Sequence, residues 1–125
     1  MFEKSSAFSG FSVDDIPVAR SFYGGTLGLV VSEENGMLSL HPPGGSKIIL
    51  YPKGAAHQPA SFTVLNFPVP EIEGAVEALV RAGVELEHYA GTPMETDSAG
   101  IFRKGGPLIA WFRDPAGNVL SVIQE

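Results

Sequence analysis

Cysteine is absent from this chain, and basic residues are scarce. Without cysteine there can be no disulfide, no thiolate metal ligand and no cysteine nucleophile, and the composition fits a reducing cytoplasm. The 8 lysines and arginines are outnumbered by 14 acidic residues, which leaves a net charge of −6. Nucleic acids and anionic membrane surfaces require basic patches, so this balance argues against both as partners. No apolar run approaches the roughly 20 residues that span a bilayer, and residues 1–6 lack the apolar core of a signal peptide.

The apolar content, 44% of the residues, is typical of a globular domain with a buried core. A length of 125 residues fits one domain, which we place at residues 1–125. Residues 7–13 alternate between apolar and polar and predict a strand. Asp15, followed by Ile16 and Pro17, predicts the start of a helix, and Gly28 predicts its end.

The rest of the chain reads as further short elements separated by turn signals. In the first half, strands are predicted at residues 29–32, 37–41 and 47–51. In the second half the pattern predicts a strand at 61–69, a helix at 71–82, a strand at 84–89, a long loop at 90–106 and a hairpin of strands 108–112 and 119–123.

The two halves repeat one another. Residues 11–16 (FSVDDI) match residues 67–72 (FPVPEI), and each segment runs from a strand end into a helix start. Leu27-Gly28-Leu29 matches Ala82-Gly83-Val84 at the two helix ends. This repeat predicts two strand–helix–strand–strand–strand modules, residues 1–57 with a linker and residues 58–125.

In these segments the chain resembles the vicinal oxygen chelate superfamily, which has the glyoxalase, bleomycin-resistance and extradiol-dioxygenase fold. The resemblance rests on Val13-Asp14-Asp15-Ile16, Ala19 with Phe22-Tyr23, and Leu27-Gly28-Leu29 near the start, and on residues 112–118 (FRDPAGN) near the end. It implies an α+β fold of two βαβββ modules whose curved mixed sheets enclose a cleft. Function is not implied, because one fold hosts many chemistries.

Enzymes of this family hold a divalent metal on the first and last strand of each module. The resemblance implies that the four ligand positions here are Phe8, Ile49, Val64 and Ser121. None of these side chains is a good metal ligand, so we expect no metal and no other cofactor. A strand register shifted by one or two residues is the alternative, but the neighbouring residues are no better ligands. The three histidines are scattered along the chain and do not predict a replacement site.

An apolar ligand pocket is the simplest interpretation of these substitutions. Four apolar or aromatic residues are expected to line it: Phe8, Ile49, Tyr51 and Val64. Ser12 and Asn66 share strand faces with these positions, and Ser121 reads as a small residue that shapes the pocket rather than as a nucleophile. Trp111 is a candidate for stacking on the ligand, with core packing as the alternative. Arg103, in the glycine-flanked loop, is either a contact for an anionic ligand or a solvated surface charge.

The resulting hypothesis is a metal-independent protein that binds a small, partly apolar molecule in the cleft between the modules. One alternative is a lyase or isomerase of the glyoxalase type that uses a relocated metal or none, and another is a dimerising accessory module. We expect a homodimer, partly from the resemblance and partly because sheet edges favour two-fold pairing. The catalytic residues, if the protein is an enzyme, remain unassigned.

Overall fold

A computed structural model describes the whole chain, residues 1–125. The chain forms two compact units, Met1–Pro59 and Ala60–Glu125. None of its helices has the length and apolar character that a membrane crossing requires.

The first unit is a four-stranded sheet with one helix. Its elements are β1 (Ser9–Val13), α1 (Ile16–Arg20) continued by a π-helical turn (Ser21–Thr26), β2 (Val31–Glu34), β3 (Met37–Leu40) and β4 (Ile48–Pro52). The strand order is β1-β4-β3-β2, with β1 parallel to β4 and the other pairs antiparallel. A short 3₁₀ turn, Gly54–Ala56, follows the last strand.

The predicted helix start is confirmed, while the helix itself differs from the prediction. Asp15 is the N-cap, and its carboxylate accepts a hydrogen bond of 3.0 Å from the backbone N–H of Val18. The α-helix ends at Arg20 and the chain continues as a π-helical turn. Two adjacent glycines, Gly24 and Gly25, lie in this turn, and glycine favours the helical backbone less than other residues do. Gly28 has a φ of 77°, the left-handed conformation expected at a helix end.

The second unit repeats the arrangement with a three-stranded sheet. Its elements are β5 (Thr63–Val69), α2 (Ile72–Arg81), β6 (Ile109–Arg113) and β7 (Val119–Gln124), in the sheet order β5-β7-β6. Glu71 caps α2 by accepting a bond of 2.8 Å from the N–H of Gly74. Gly83, just past the helix, has a φ of 88°.

The strand predicted at residues 84–89 is reduced to a single bridge, so that prediction was wrong. Only Leu86 pairs, with Phe112, and the N–H of Glu87 donates to the carbonyl of Trp111 at 2.8 Å. Tyr89 has a φ of 48°, a left-handed conformation that β-strands exclude. The carbonyl of Tyr89 accepts bonds from the N–H and the hydroxyl of Thr92. This turn leads the chain away from the sheet edge, and the alternating pattern of residues 84–89 could not reveal it.

Strand register confirms the internal repeat. β1 pairs with β4 so that Gly10 lies opposite Ile49, and β5 pairs with β7 so that Asn66 lies opposite Ser121. Positions 10 and 66 are equivalent in the aligned segments, so Ile49 and Ser121 are equivalent as well. The fold is therefore the predicted α+β fold of two βαβββ modules, with the second strand of the second module shortened.

Candidate functional site

One face of each sheet packs on its own helix. In the first sheet, Phe11 of β1 packs towards Tyr23 of the π-helical turn, and their ring centroids lie 6.3 Å apart. In the second, the side-chain oxygen of Gln124 accepts a bond of 2.9 Å from the N–H of Ile72, the first residue of α2. Side chains alternate along a strand, so the neighbours of Phe11 and Gln124 point to the opposite faces. We call these the helix-free faces.

The predicted ligand residues of the first module share its helix-free face. Ser12 lies opposite Tyr51 in the register, and Ile49 lies opposite Gly10. Ile49 and Ser12 are half-buried, and Tyr51 is 38% exposed. Phe8 precedes β1 by one residue and is 57% exposed, with the ammonium of Lys47 5.0 Å from its ring centroid. The structure thus brings Ser12, Ile49 and Tyr51 together on one face of the sheet.

Ser12 makes a contact that the sequence did not predict. Its hydroxyl lies 2.8 Å from Nδ1 of His57, which is 45 residues away in the chain. His57 directly follows the 3₁₀ turn after β4 and is half-buried. Because the two residues are remote in sequence, no spacing pattern could have indicated this pair.

In the second module, three predicted residues form one row across the sheet. Asn66, Ser121 and Trp111 are register partners on β5, β7 and β6. The hydroxyl of Ser121 is fully buried and donates to the amide oxygen of Asn66 at 2.5 Å. Val64 is half-buried beside the register shift between Thr63 and Leu65. The Ser121 hydroxyl therefore donates its proton within the sheet, to Asn66.

Trp111 is enclosed by two aromatic rings that sequence analysis missed. Tyr89 meets it edge-on at 5.5 Å between centroids, Phe102 lies at 5.8 Å, and only 7% of Trp111 is exposed. Burial raises the pKa of the Tyr89 phenol, the charge of Glu87 adds to that rise, and Arg113 opposes it. Tyr89 therefore stays a neutral hydrogen-bonding group near pH 7. Its left-handed backbone is uncommon for a bulky residue and is found more often at functional sites.

A cavity of about 290 Å³ lies beside Trp111. Its lining consists of Ser61, Phe62, Thr63, Tyr89, Thr92, Met94, Trp111 and Val119. Phe62 is 69% exposed and Met94 is 43% exposed. Exposed aromatic and thioether side chains beside a buried indole offer both stacking surface and adaptable packing, with hydroxyls for orientation. We call this the Trp111 cavity.

A larger groove of about 830 Å³ lies between α2 and the segment that follows it. Val76, Val80, Val84, Leu86 and Ala99 provide its apolar lining, and charged side chains belong to it as well. None of the predicted ligand residues lines this groove. The Trp111 cavity is therefore the better candidate, although it is smaller.

Arg103 is held by two carboxylates of its own module. Its Nε donates to Asp97 at 2.8 Å, and a terminal nitrogen donates to Glu73 of α2 at 3.0 Å. The bond from Arg103 is the main cause that lowers the pKa of Asp97. Burial opposes this shift, and the backbone bonds from Ile101 and Ala99 add to it. Arg103 thus ties the loop to the helix, an arrangement that favours a structural role over capture of an anionic ligand.

The side chains at the four positions that the resemblance implies for a metal are poor metal ligands. Phe8, Ile49 and Val64 carry no donor atom, and Ser121 donates its proton to Asn66. No group of three or more His, Cys, Asp or Glu side chains is close enough to hold a metal ion. Each histidine contacts a different hydroxyl group: His57 contacts Ser12, His41 contacts Ser32 and His88 contacts Thr96. No chemical step is therefore assigned to a metal.

The chain is similar to known proteins over almost its whole length. Residues 8–122 match the Glyoxalase/Bleomycin resistance protein/Dioxygenase superfamily. No curated protein sequence matches it. Among solved structures, TnmS3, an antibiotic binding protein from Streptomyces sp. CB03234, superposes with a TM-score of 0.65 at 22% identity, over 97% of each chain.

Two further structures have a similar fold. The glyoxalase family protein from Enterococcus faecalis gives a TM-score of 0.70 at 23% identity, covering 98% of this chain and 99% of that one. A superfamily member from Sphaerobacter thermophilus DSM 20745 gives 0.70 at 21% identity, over 100% of both chains. At such identities, structural likeness establishes the fold alone. The match to the family's sequence pattern goes further: the chain belongs to the glyoxalase, bleomycin-resistance and dioxygenase superfamily.

Proposed function

We propose that this protein binds a small, partly apolar molecule with a planar ring, without the metal that many members of its superfamily use. The observation that carries the proposal is the Trp111 cavity, where a buried indole meets exposed aromatic and thioether side chains. Its volume of about 290 Å³ lies just below the range of roughly 300–1,000 Å³ for ligand pockets, so the ligand is small. TnmS3, which shares the fold, is itself an antibiotic binding protein.

The chemistry of the cavity favours a neutral or cationic ligand over an anionic one. Its lining residues are apolar, aromatic or hydroxyl-bearing, and none carries a charge. The net charge of −6 repels anions at long range and attracts cations. Thr63 and Thr92 can orient a polar substituent, while the rings contact the apolar part.

The single tryptophan makes the proposal directly testable. We expect saturable quenching of Trp111 fluorescence when the protein is titrated with a panel of planar aromatic antibiotics. Phe62→Ala and Met94→Ala should each weaken binding about tenfold, or about 1.4 kcal/mol. Val80→Ala is the matched control, because it shortens an exposed apolar side chain outside the cavity. No saturable binding across the panel, or equal affinity in all three variants, would contradict the proposal.

Product analysis separates binding from catalysis. Sequestration requires one ligand bound per site and recovered unchanged after prolonged incubation. The alternative, a lyase or isomerase, requires conversion of the ligand at a rate proportional to protein concentration. Chromatography of the incubated ligand distinguishes the two.

We also propose a cytoplasmic homodimer. The absence of cysteine supports the location. Exposed apolar side chains support the dimer, since Val30 is 69% exposed beside β2, which ends the first sheet on one side. Two-fold pairing is the commonest way for such surfaces to be covered. Light scattering at tens of micromolar should give about twice the chain mass of 13.2 kDa, and a monomer would contradict the proposal.

A further inference from the structure

We propose that Ser12 and His57 form a nucleophile–base pair that accepts an acyl or phosphonyl group on the serine oxygen. The distance of 2.8 Å between the hydroxyl and Nδ1 lies within the reach that proton transfer requires. With the serine as donor, the imidazole carries its own proton on Nε2 and Nδ1 is the basic atom. This proposal does not depend on ligand binding at the Trp111 cavity.

Both members of the pair are placed by backbone structure. Ser12 lies within β1, whose neighbour β4 is bonded along its whole length. Lys53 donates to the carbonyl of Val13 at 2.9 Å, which fixes the chain after β4 to the end of β1. The turn that follows is closed by a bond of 3.1 Å from the N–H of His57 to the carbonyl of Gly54. The imidazole therefore reaches Ser12 from a tight turn rather than from a long mobile segment.

The surroundings of Ser12 favour a reactive pair over a solvated one. Ser12 and His57 are half-buried, so water competes less for their hydrogen bond while a small reagent can still approach. The cross-strand partner, Tyr51, lies close over Gly10: a Cβ atom added to that glycine would be 3.8 Å from its ring. An aromatic wall beside a serine hydroxyl suits esters and phosphonates with apolar substituents.

The same protein contains a matched pair in a different environment. The hydroxyl of Ser32 lies 2.8 Å from Nε2 of His41, but this bond is exposed on the sheet edge. The two pairs have the same serine-to-imidazole separation, but His41 is exposed whereas His57 is half-buried, and the serine meets Nε2 of His41 but Nδ1 of His57. The second pair therefore serves as an internal control for reactivity.

The proposed step conserves atoms and charge. The Ser12 proton passes to Nδ1 of His57 as the oxygen attacks the carbonyl carbon of an ester, and the alcohol departs with that proton. Water then attacks the acyl-serine with His57 as base, releasing the acid and restoring the hydroxyl. With a fluorophosphonate, the oxygen bonds to phosphorus, fluoride departs, and the proton leaves with it as HF overall.

The first test uses a fluorophosphonate carrying an aromatic substituent. Intact-mass measurement should show one phosphonyl group per chain, and peptide mapping should place it on Ser12. Ser12→Ala should abolish labelling, and His57→Gln should slow it by about 100-fold or more, the usual size of a general-base contribution. Ser32→Ala and His41→Gln should label at the wild-type rate.

A thermal melt of each variant separates loss of reactivity from loss of folding. His57→Gln keeps a polar side chain of similar reach, so we expect a melting temperature within a few degrees of wild type. A properly folded wild-type protein that takes no label would overturn the proposal. So would labelling that persists in Ser12→Ala, or an unchanged rate in a folded His57→Gln. Fluorescence titration at the Trp111 cavity is unaffected by these outcomes, so failure of one proposal is distinguishable from failure of the other.

Discussion

Replacing Asn66 should destabilise the protein through a partner on another strand. Asn66 is exposed, yet its amide oxygen accepts the only hydrogen bond of the fully buried Ser121 hydroxyl. Asn66→Ala removes the acceptor and leaves a buried donor without a partner, which costs about 1–3 kcal/mol. The opposite change, Ser121→Ala, leaves an amide that water can reach, so its cost should be smaller, about 0.5–1.5 kcal/mol.

Urea unfolding of the two variants and the double variant measures this coupling. Combining Asn66→Ala with Ser121→Ala should cost less than the sum of the single changes, by about 1 kcal/mol, because neither polar group is then left alone. Asn66→Asp keeps an acceptor at the same position and should stay nearer to wild type. The matched control is Gln58→Ala, which removes an exposed amide in the linker and should change stability by less than about 0.5 kcal/mol. If Asn66→Ala behaves like this control, or the two changes are additive, the inferred hydrogen bond does not contribute as argued.

Three further predictions concern the second module. Asp114→Ala should lower the free energy of unfolding by about 3–5 kcal/mol in a urea melt, because its buried carboxylate accepts bonds of 2.8 and 3.0 Å from the backbone and side chain of Asn118; a loss below about 1 kcal/mol would contradict this. Gly100→Ala should be strongly destabilising by thermal melt, because its φ is +89° and an added Cβ would lie 2.7 Å from Cβ of Leu86; an unchanged melting temperature would refute it. Asp97 has a lowered pKa, so its stabilising contribution should be complete above about pH 4 and should fade as the pH falls through the lowered value. Curves of unfolding free energy against pH for Asp97→Asn and wild type should therefore converge at low pH. Parallel curves would be inconsistent with this.

Local signals were enough to predict most elements of the fold. The helix start predicted at Asp15 is confirmed, because a cap depends on a few consecutive residues. Gly28 and Gly83 have the left-handed backbone predicted at the helix ends. The internal repeat predicted two modules, and strand pairing confirms the equivalence of Ile49 and Ser121. These features follow from periodicity and from short-range sterics, which the order of residues carries directly.

The contacts of the candidate site required the tertiary structure. Ser12 and His57 are 45 residues apart, and the bond between Ser121 and Asn66 spans 55 residues. Pairs like these depend on strand register and on the path of turns, which no local pattern encodes. The failed strand at residues 84–89 has the same cause, since one left-handed residue, Tyr89, redirects the chain and brings its ring against Trp111. An alternating pattern reports which side chains share a face, but only the folded chain decides which of them meet.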